Sequence, residues 1–454
     1  MIIMKIESLF NPKSVAIIGA SRDPNKIGNV ILRNFLQSYR GKIFPVNPNA
    51  ETILGLKCYK SILDIKEKVE LAVIAVPAQI VPQVLEECGK KKVKAAIVIS
   101  GGFAEVGRKD LEESIKEIAK KYDIALLGPN CLGVFDPRSG VDTLFLPEYK
   151  LKRPRAGNIS FLTQSGAIGS VTLDLFSDEN IGVDKFISYG NATVLDEVEL
   201  LKYLLKKKTT KVILFYIEGA KNGKEFVKVL KKVRKPIVVM KGGISQEGIK
   251  AAFSHTAALT SNSQNYLALF KQFGLIQAER YEELFDFAKI FSTQPKTKGK
   301  RVGIVTNGGG AGVVATDAIS ANSLELAQLS EETINSLKQK LPDYVNIRNP
   351  LDIAGDADAK RFEVAIEAML NEKNVDMLMI ILLFQTPGAD SSIINSLAKY
   401  KNAQKPMIVV TMGGAFTRLH KSIIEANGIP VYMSPNSAAR ALKALYDYSH
   451  HFPK

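Results

Sequence analysis

Short runs of Val and Ile that do not alternate with polar residues, each followed by a stretch of helical period, set the limits on this fold. In the first third of the chain they fall at Ser14-Val-Ala-Ile-Ile-Gly19, Lys42-Ile-Phe-Pro-Val46, Leu71-Ala-Val-Ile-Ala-Val76, Ala95-Ala-Ile-Val-Ile-Ser100 and Ala125-Leu-Leu-Gly128. A strand that is apolar on both faces must be covered on both faces, which is the mark of a parallel sheet between helix layers. Helices of suitable period are expected over 28–37, 81–91 and 108–122. The pattern predicts a doubly wound α/β domain whose ligand lies at the carboxyl ends of the strands.

Two further units follow hydrophilic links at 146–155 and 293–300, and they read as copies of each other. Asn158-Ile-Ser-Phe-Leu-Thr-Gln-Ser-Gly-Ala-Ile-Gly169 lines up with Arg301-Val-Gly-Ile-Val-Thr-Asn-Gly-Gly-Gly-Ala-Gly312, with helices expected over 171–178 and 313–321. Lys235-Pro-Ile-Val-Val-Met-Lys-Gly-Gly243 then matches Lys405-Pro-Met-Ile-Val-Val-Thr-Met-Gly-Gly414. Two landmarks in the same order indicate duplication of one flavodoxin-like unit. The expected domains are 1–145, 146–295 and 296–454, in keeping with about 150 residues per domain.

A chain that is 46% hydrophobic and 24% charged has a globular composition. No apolar run reaches the roughly 18 residues that span a bilayer. The start, Met-Ile-Ile-Met-Lys-Ile-Glu-Ser, lacks the layout of a signal peptide, so a cytoplasmic protein away from membranes is expected. Cys58, Cys88 and Cys131 are odd in number and widely spaced, which predicts reduced, buried thiols and neither disulfide nor zinc site. The net charge of +15 is spread over helix faces without aromatic-interleaved basic strands. That distribution argues against a nucleic-acid partner, and a basic chain favours anionic ligands. The absence of Trp and the abundance of Lys and Glu point weakly to a hot habitat.

In both copies a strand ends in Thr-x-(Ser/Gly)-Gly and a helix begins. Ser165 with Gly166, and Gly309 with Gly310, are therefore candidate anion sites, because glycine turns expose amide hydrogens at the positive end of a helix. The turn Gly19-Ala-Ser-Arg-Asp-Pro-Asn-Lys-Ile-Gly28 lacks the G-x-G-x-x-G spacing of dinucleotide binders but offers Ser21, Arg22 and Lys26 to phosphates. It disfavours a nicotinamide oxidoreductase and fits a phosphorylated adenine cofactor.

Two residues stand out as chemical groups. Glu218 ends the apolar strand Lys211-Val-Ile-Leu-Phe-Tyr-Ile217 and could orient a histidine, although its spacing equally fits a helix cap or a pair with Lys221 or Lys224. His255 follows the glycine-rich run 242–248 among small and hydroxyl residues. That setting suits a covalent carrier on a movable loop, and taken alone it also fits a partly buried loop histidine. The other histidines read as a helix residue, His420, and a frayed tail, His450 and His451.

Together these motifs resemble a known family across essentially the whole chain. In the first domain they are Ile17-Ile-Gly-Ala-Ser21, Pro45-Val-Asn-Pro48, Ala75-Val-Pro77, Ser100-Gly-Gly-Phe103 and Gly128-Pro-Asn-Cys-Leu-Gly133. Beyond it are Thr163-Gln-Ser-Gly166, Tyr216-Ile-Glu-Gly219, Ser254-His-Thr256, Thr306-Asn-Gly-Gly-Gly310 and Asn349-Pro-Leu-Asp352. In this order they resemble the α subunit of ADP-forming acyl-CoA (acetyl-CoA) synthetases, within the succinyl-CoA synthetase superfamily.

The resemblance implies a Rossmann-like CoA-binding domain followed by two flavodoxin-like domains. It implies coenzyme A contacts at Gly19, Ser21, Lys26, Asn47, Pro48, Val76, Pro77, Ser100 and Asn130. It implies that phosphate converts bound acyl-CoA to an acyl phosphate, that His255 carries the phosphoryl group to ADP, and that acetate is the acid. Glu218 then orients the histidine, and Ser165, Gly166, Gly309 and Gly310 hold its phosphate. No Walker motif or carboxylate cluster for Mg²⁺ is read here, and no metal site. ADP or ATP with Mg²⁺ is therefore expected on a separate ATP-grasp-type β subunit, in a heterotetramer. The rivals are a succinate-specific ligase, a CoA-sensing regulator or protein acetyltransferase relative without ligase activity, and a CoA-binding module with an inert His255.

Overall fold

The computed structural model describes residues 2–250 and 263–452. The chain divides into two compact units, Met1–Gln277 and Ala278–Lys454. The first unit holds two principal sheets. In one, the strands Lys42–Val46, Ser14–Ile18, Leu71–Ile74, Ala95–Val98 and Ala125–Leu127 lie side by side in that order, all parallel. These are the five Val/Ile runs. Every residue of Ser14–Ile18, Leu71–Ile74 and Ala95–Val98 is buried, as helix cover on both faces requires. The helices expected between them are Ile27–Ser38, Val81–Lys90 and Lys109–Lys121.

The other sheet of this unit has the order Ile276–Gln277, Ile237–Lys241, Val212–Ile217, Ala156–Thr163, Val183–Ser188, Gly133–Asp136, Val141–Asp142. Its first five strands are parallel, and the last two are antiparallel additions. The second unit's sheet runs Glu325–Leu326, Arg301–Thr306, Met377–Ile381, Met407–Val410, Val431–Tyr432, with Leu351–Asp352 pairing to the end of Arg301–Thr306.

Numbered along the chain, the five parallel strands of each principal sheet, leaving Leu351–Asp352 aside, stand in the order 2-1-3-4-5 all three times. This is the flavodoxin-like order. The duplicated landmarks fall on equivalent strands: Ala156–Thr163 and Arg301–Thr306 are each strand 1, and Ile237–Lys241 and Met407–Val410 are each strand 4.

The helices after the two glycine turns begin earlier than their apolar period indicates, at Gly166 and Gly309. Small residues such as Gly166, Ala167 and Gly309 to Gly312 carry no hydrophobic period, so the first turn is invisible to pattern reading. Their backbone still enters the helix directly from the strand. The chain's end is also more ordered than expected. His450 and His451 close the helix Pro435–His451, which Ser434 caps by accepting from Ser437 N at 3.1 Å and which buries Leu445 and Tyr448. His420 lies in the helix Ala415–Ala426, its ring packed on Phe384 and Phe416 at 4.5 and 4.3 Å. All three cysteines are buried and free.

One apolar core runs beneath both sheets of the first unit and includes Ile17, Leu71, Leu162 and Phe215. The helix Ile2–Phe10 contributes Ile6, Leu9 and Phe10, whose ring stacks on Tyr203 at 5.5 Å. Ion pairs fasten the antiparallel strands. Lys185 Nζ lies 2.7 Å from Asp136 Oδ2 and 3.6 Å from Asp184 Oδ1, and Arg153 Nε lies 2.6 Å from Asp142 Oδ2, all with little exposure. Removing Lys185 strands two buried carboxylates, so Lys185→Met should destabilise the chain by about 3 kcal/mol. Asp136→Ala leaves Lys185 the Asp184 carboxylate and should cost less. Urea unfolding followed by circular dichroism checks both.

Candidate functional site

In the second sheet, strand 1 ends at Thr163 and strand 3 at Ile217, side by side with Thr163 opposite Tyr216. Connections that leave neighbouring strands toward opposite faces open a crevice at the strand ends. Gln164, Ser165 and Gly166 form one lip, and Glu218 and Gly219 the other. Gln164 bridges them, its Oε1 accepting from Glu218 N at 2.8 Å and from Gly219 N at 3.3 Å. Ser165 caps the helix Gly166–Asp178, its hydroxyl accepting from Ile168 N at 3.3 Å. The positive end of that helix therefore faces the crevice that holds Glu218.

Glu218 is 6% exposed. Tyr216 OH donates to its Oε1 at 3.4 Å, and Lys241 Nζ donates to its backbone oxygen at 2.7 Å and to Gly242 O. Burial pushes the Lys241 ammonium down from its ordinary range, and the Glu218 charge works against that shift. Burial raises the Tyr216 phenol, and the same carboxylate adds to it. Lys221, one of the two partners that spacing offered to Glu218, lies instead 3.7 Å from Glu112 Oε1. The glycine run also starts firmly: Gly242 N donates to Ile217 O, and a Cβ on Gly242 would meet Tyr216 OH at 2.5 Å. His255 lies outside the described residues.

A second acid stands behind this loop, and nothing in the sequence marks it. Glu197 opens the helix Glu197–Lys206 and is fully buried, its Oε1 accepting from Lys221 N at 2.9 Å. Its Oε2, and the hydroxyl of the equally buried Tyr189, have no hydrogen-bond partner among the described residues. Desolvation lifts the Glu197 carboxyl to about 7, with the Asp196 charge adding to the rise and backbone hydrogen bonds opposing it.

In front of the loop lies a cavity of about 910 Å³. Gln164, Ser165, Gly166, Gly219 and Ala220 form part of its wall, together with Asn130, Lys109, Lys116 and Lys221. Leu132, Phe145 and Leu146 supply an apolar side. At the rim Asn191 donates to Glu105 Oε2 at 2.7 Å and Glu112 Oε2 at 2.9 Å, joining the loops of the two sheets.

The sequence candidates of the first domain gather at the carboxyl edge of the first sheet, because every parallel strand ends there. Gly19 and Ser21 follow strand 1, Asn47 and Pro48 strand 2, Val76 and Pro77 strand 3, Ser100 strand 4 and Asn130 strand 5. Asn47 Nδ2 donates to Ala20 O at 2.7 Å, Ser100 Oγ to Val76 O at 2.5 Å, and Asn130 N to Ser100 O at 2.9 Å. Lys26 stands just before the helix Ile27–Ser38. At Gly28 a Cβ would lie 1.9 Å from Gly19 O, so only glycine lets the helix close on the turn. Exposed turn backbone with Arg22 and Lys26 beside it fits a phosphorylated adenine cofactor. In the second unit, Gly309 and Gly310 open the helix Gly309–Ala321, and a Cβ on Gly309 would lie 2.7 Å from Asp352 Oδ2. Among the described residues no cluster of His, Cys, Asp and Glu suits a metal ion, and no helix is long and apolar enough to cross a membrane.

Three family models match in succession: a CoA binding domain over 13–137, a succinyl-CoA ligase like flavodoxin domain over 156–291 and a ligase-CoA domain over 302–432. The α subunit of ADP-forming acetate–CoA ligase I of Pyrococcus furiosus is 40% identical, over 98% of this chain and 98% of its own length. The chain belongs to the ADP-forming acetate–CoA ligase family. A family member from Methanocaldococcus jannaschii is 43% identical over 96% of this chain, which spans only 62% of that longer relative. A solved structure from Candidatus Korarchaeum cryptofilum, a dinucleotide forming acetyl-coenzyme A synthetase in complex with phosphate and ADP, is 37% identical. It superposes with a TM-score of 0.92 over 98% of this chain and 97% of its own. Family membership thus rests on full-length likeness, and the α/β architecture with a CoA-binding domain and two flavodoxin-like domains goes with it.

The Glu197 environment predicts a pH dependence. A carboxyl at about 7 when folded and at 4.5 when unfolded stabilises the fold fully below pH 4.5, and that contribution is lost as pH rises toward 7. Glu197→Gln keeps the acceptor oxygen and has no proton to lose. Its stability relative to wild type should rise between pH 5 and pH 8, by at most about 3 kcal/mol, because each tenfold difference in proton affinity between the two states is worth about 1.4 kcal/mol. Urea titrations of both chains at the two pH values measure it.

Proposed function

We propose that this chain is the CoA-binding, phosphoryl-carrying α chain of a cytoplasmic ADP-forming acyl-CoA ligase, with acetate as its acid. Its domains are the CoA-binding domain 1–145, the phosphohistidine domain 146–295 and a second flavodoxin-like domain 296–454. The observation that carries this reading is the meeting of Glu218 with the N-terminus of the helix Gly166–Asp178 at one strand-end crevice, beside the 910 Å³ cavity. A buried carboxylate opposite a helix dipole suits an imidazole that takes up a phosphoryl group.

Coenzyme A is held along the first sheet's edge by Gly19, Ser21, Lys26, Asn47, Pro48, Val76, Pro77, Ser100 and Asn130. A phosphate oxygen attacks the thioester carbonyl, the C–S bond breaks, and the CoA sulfur leaves with a proton. The resulting acyl phosphate is attacked at phosphorus by His255, and the carboxylate departs. A terminal oxygen of ADP then attacks phosphohistidine to give ATP. Glu218 accepts from one imidazole nitrogen and leaves the other as nucleophile. The turns at Ser165-Gly166 and Gly309-Gly310 supply backbone amides and helix dipoles to the phosphoryl oxygens, which stabilises charge without a metal. ADP and Mg²⁺ reside on an ATP-grasp-type β subunit in a heterotetramer, in keeping with relatives named as α subunits.

Incubation with acetyl-CoA and radiolabelled phosphate should place acid-labile label on the chain. His255→Ala should abolish it, and Glu218→Gln should slow it at least about tenfold, a loss of about 1.4 kcal/mol in the transition state. Undiminished labelling of His255→Ala would sink the mechanism.

A further inference from the structure

The loop that leaves the strand Val212–Ile217 has four consecutive backbone N–H groups, and a side chain from elsewhere takes each one. Gln164 Oε1 accepts from Glu218 and Gly219 at 2.8 and 3.3 Å, Tyr266 OH from Ala220 at 2.7 Å, and Glu197 Oε1 from Lys221 at 2.9 Å. Lys241 holds the Glu218 carbonyl at 2.7 Å. These groups come from four elements: the turn after Ala156–Thr163, the helix Glu197–Lys206, the strand Ile237–Lys241 and the helix Ser263–Gln272.

The loop cannot define itself. Gly219 has no side chain, a Cβ there would touch nothing within 4 Å, and Ala220 adds one methyl group. Since Gly219, Ala220 and Lys221 border the cavity, water could satisfy their N–H groups. Fixed side chains do so instead. One of them is a fully buried acid whose second oxygen has no partner among the described residues, a costly way to meet a single N–H. Such a cost is understandable where direction matters, since a misplacement of about 1 Å at a reacting centre costs roughly a hundredfold in rate.

We infer that Glu197 and Tyr266 are positioning residues for Glu218: they fix the backbone from which its carboxylate is presented, and so act on phosphoryl transfer only through it. The inference rests on the role proposed for Glu218.

The test is the rate of acid-labile phosphate uptake by the full chain from acetyl phosphate. Glu197→Ala and Tyr266→Phe should each slow it about tenfold, while Glu197→Gln, which retains the acceptor for Lys221 N–H, restores most of the rate. Adding Glu197→Ala to Glu218→Gln should slow it no further, because groups acting through one another are not additive. Three results each overturn the inference: wild-type rates in the folded Ala or Phe variants, a Gln variant as slow as the Ala variant, or losses that multiply in the Glu218→Gln background. A wild-type chain that takes no label removes the phosphohistidine reading instead. Hydrogen exchange at the Gly219, Ala220 and Lys221 amides then decides the positioning role: faster exchange in Glu197→Ala and Tyr266→Phe supports it, and unchanged exchange refutes it.

Discussion

Strand order is the constraint from which the rest of this molecule follows. In each sheet strand 1 has strand 2 on one side and strand 3 on the other, so its connections to the two leave toward opposite faces. Right-handed crossovers make that divergence unavoidable, and the backbone at the ends of strands 1 and 3 is left without a covering helix. Gly19 to Ser21 and Ala75 to Pro77 occupy that place in the first sheet, and Gln164 to Gly166 and Glu218 to Gly219 in the second. Asn307 to Gly309 and Leu382 to Leu383 occupy it in the third. Asn307 ties the third crevice together, accepting from Leu383 N at 2.9 Å and donating to Leu383 O at 3.1 Å. It stands where Gln164 stands in the aligned copy, so both copies close the crevice with an amide side chain.

Burying polar backbone at a strand end is expensive unless each group finds a partner. The second sheet meets this with three acceptors at the loop, the Gln164 amide, the Tyr266 phenol and the Glu197 carboxyl. Lys241 holds the Glu218 carbonyl, while desolvation lifts the Glu197 carboxyl to about 7, above the usual carboxylate range.

Much of this was legible in the chain itself, because the deciding signals are local. Val/Ile runs marked the strands, two landmarks marked the repeated sheet, and a carboxylate after an apolar strand fell at a strand end. What was hidden depends on contacts across the fold. Glu197 reads as an unremarkable first-turn acid of a helix, and only tertiary burial distinguishes it from Glu199 beside it. Tyr266 lies 46 residues from the amide it caps, in a helix with an ordinary pattern. The helix starts at Gly166 and Gly309 carry no apolar period, and the tail at His450 is held by the packing of Leu445 and Tyr448 several residues earlier.

The two glycine turns, so alike in sequence, differ in what surrounds their helix ends. At Gly309 the Asp352 carboxylate leans over the turn, close enough that a Cβ there would sit 2.7 Å from its oxygen. Part of that helix's positive end is thereby answered from within the same unit, in the way an acidic residue in a first turn ordinarily does. At Gly166 the cap is the neutral hydroxyl of Ser165, and the bridging group is the neutral amide of Gln164. The carboxyl group that faces this helix end, Glu218, comes instead from the neighbouring strand end, across the Gln164 bridge. The two turns are thus alike in backbone, and a carboxyl group stands near each helix end from a different place in its sheet, Asp352 beside strand 1 and Glu218 after strand 3.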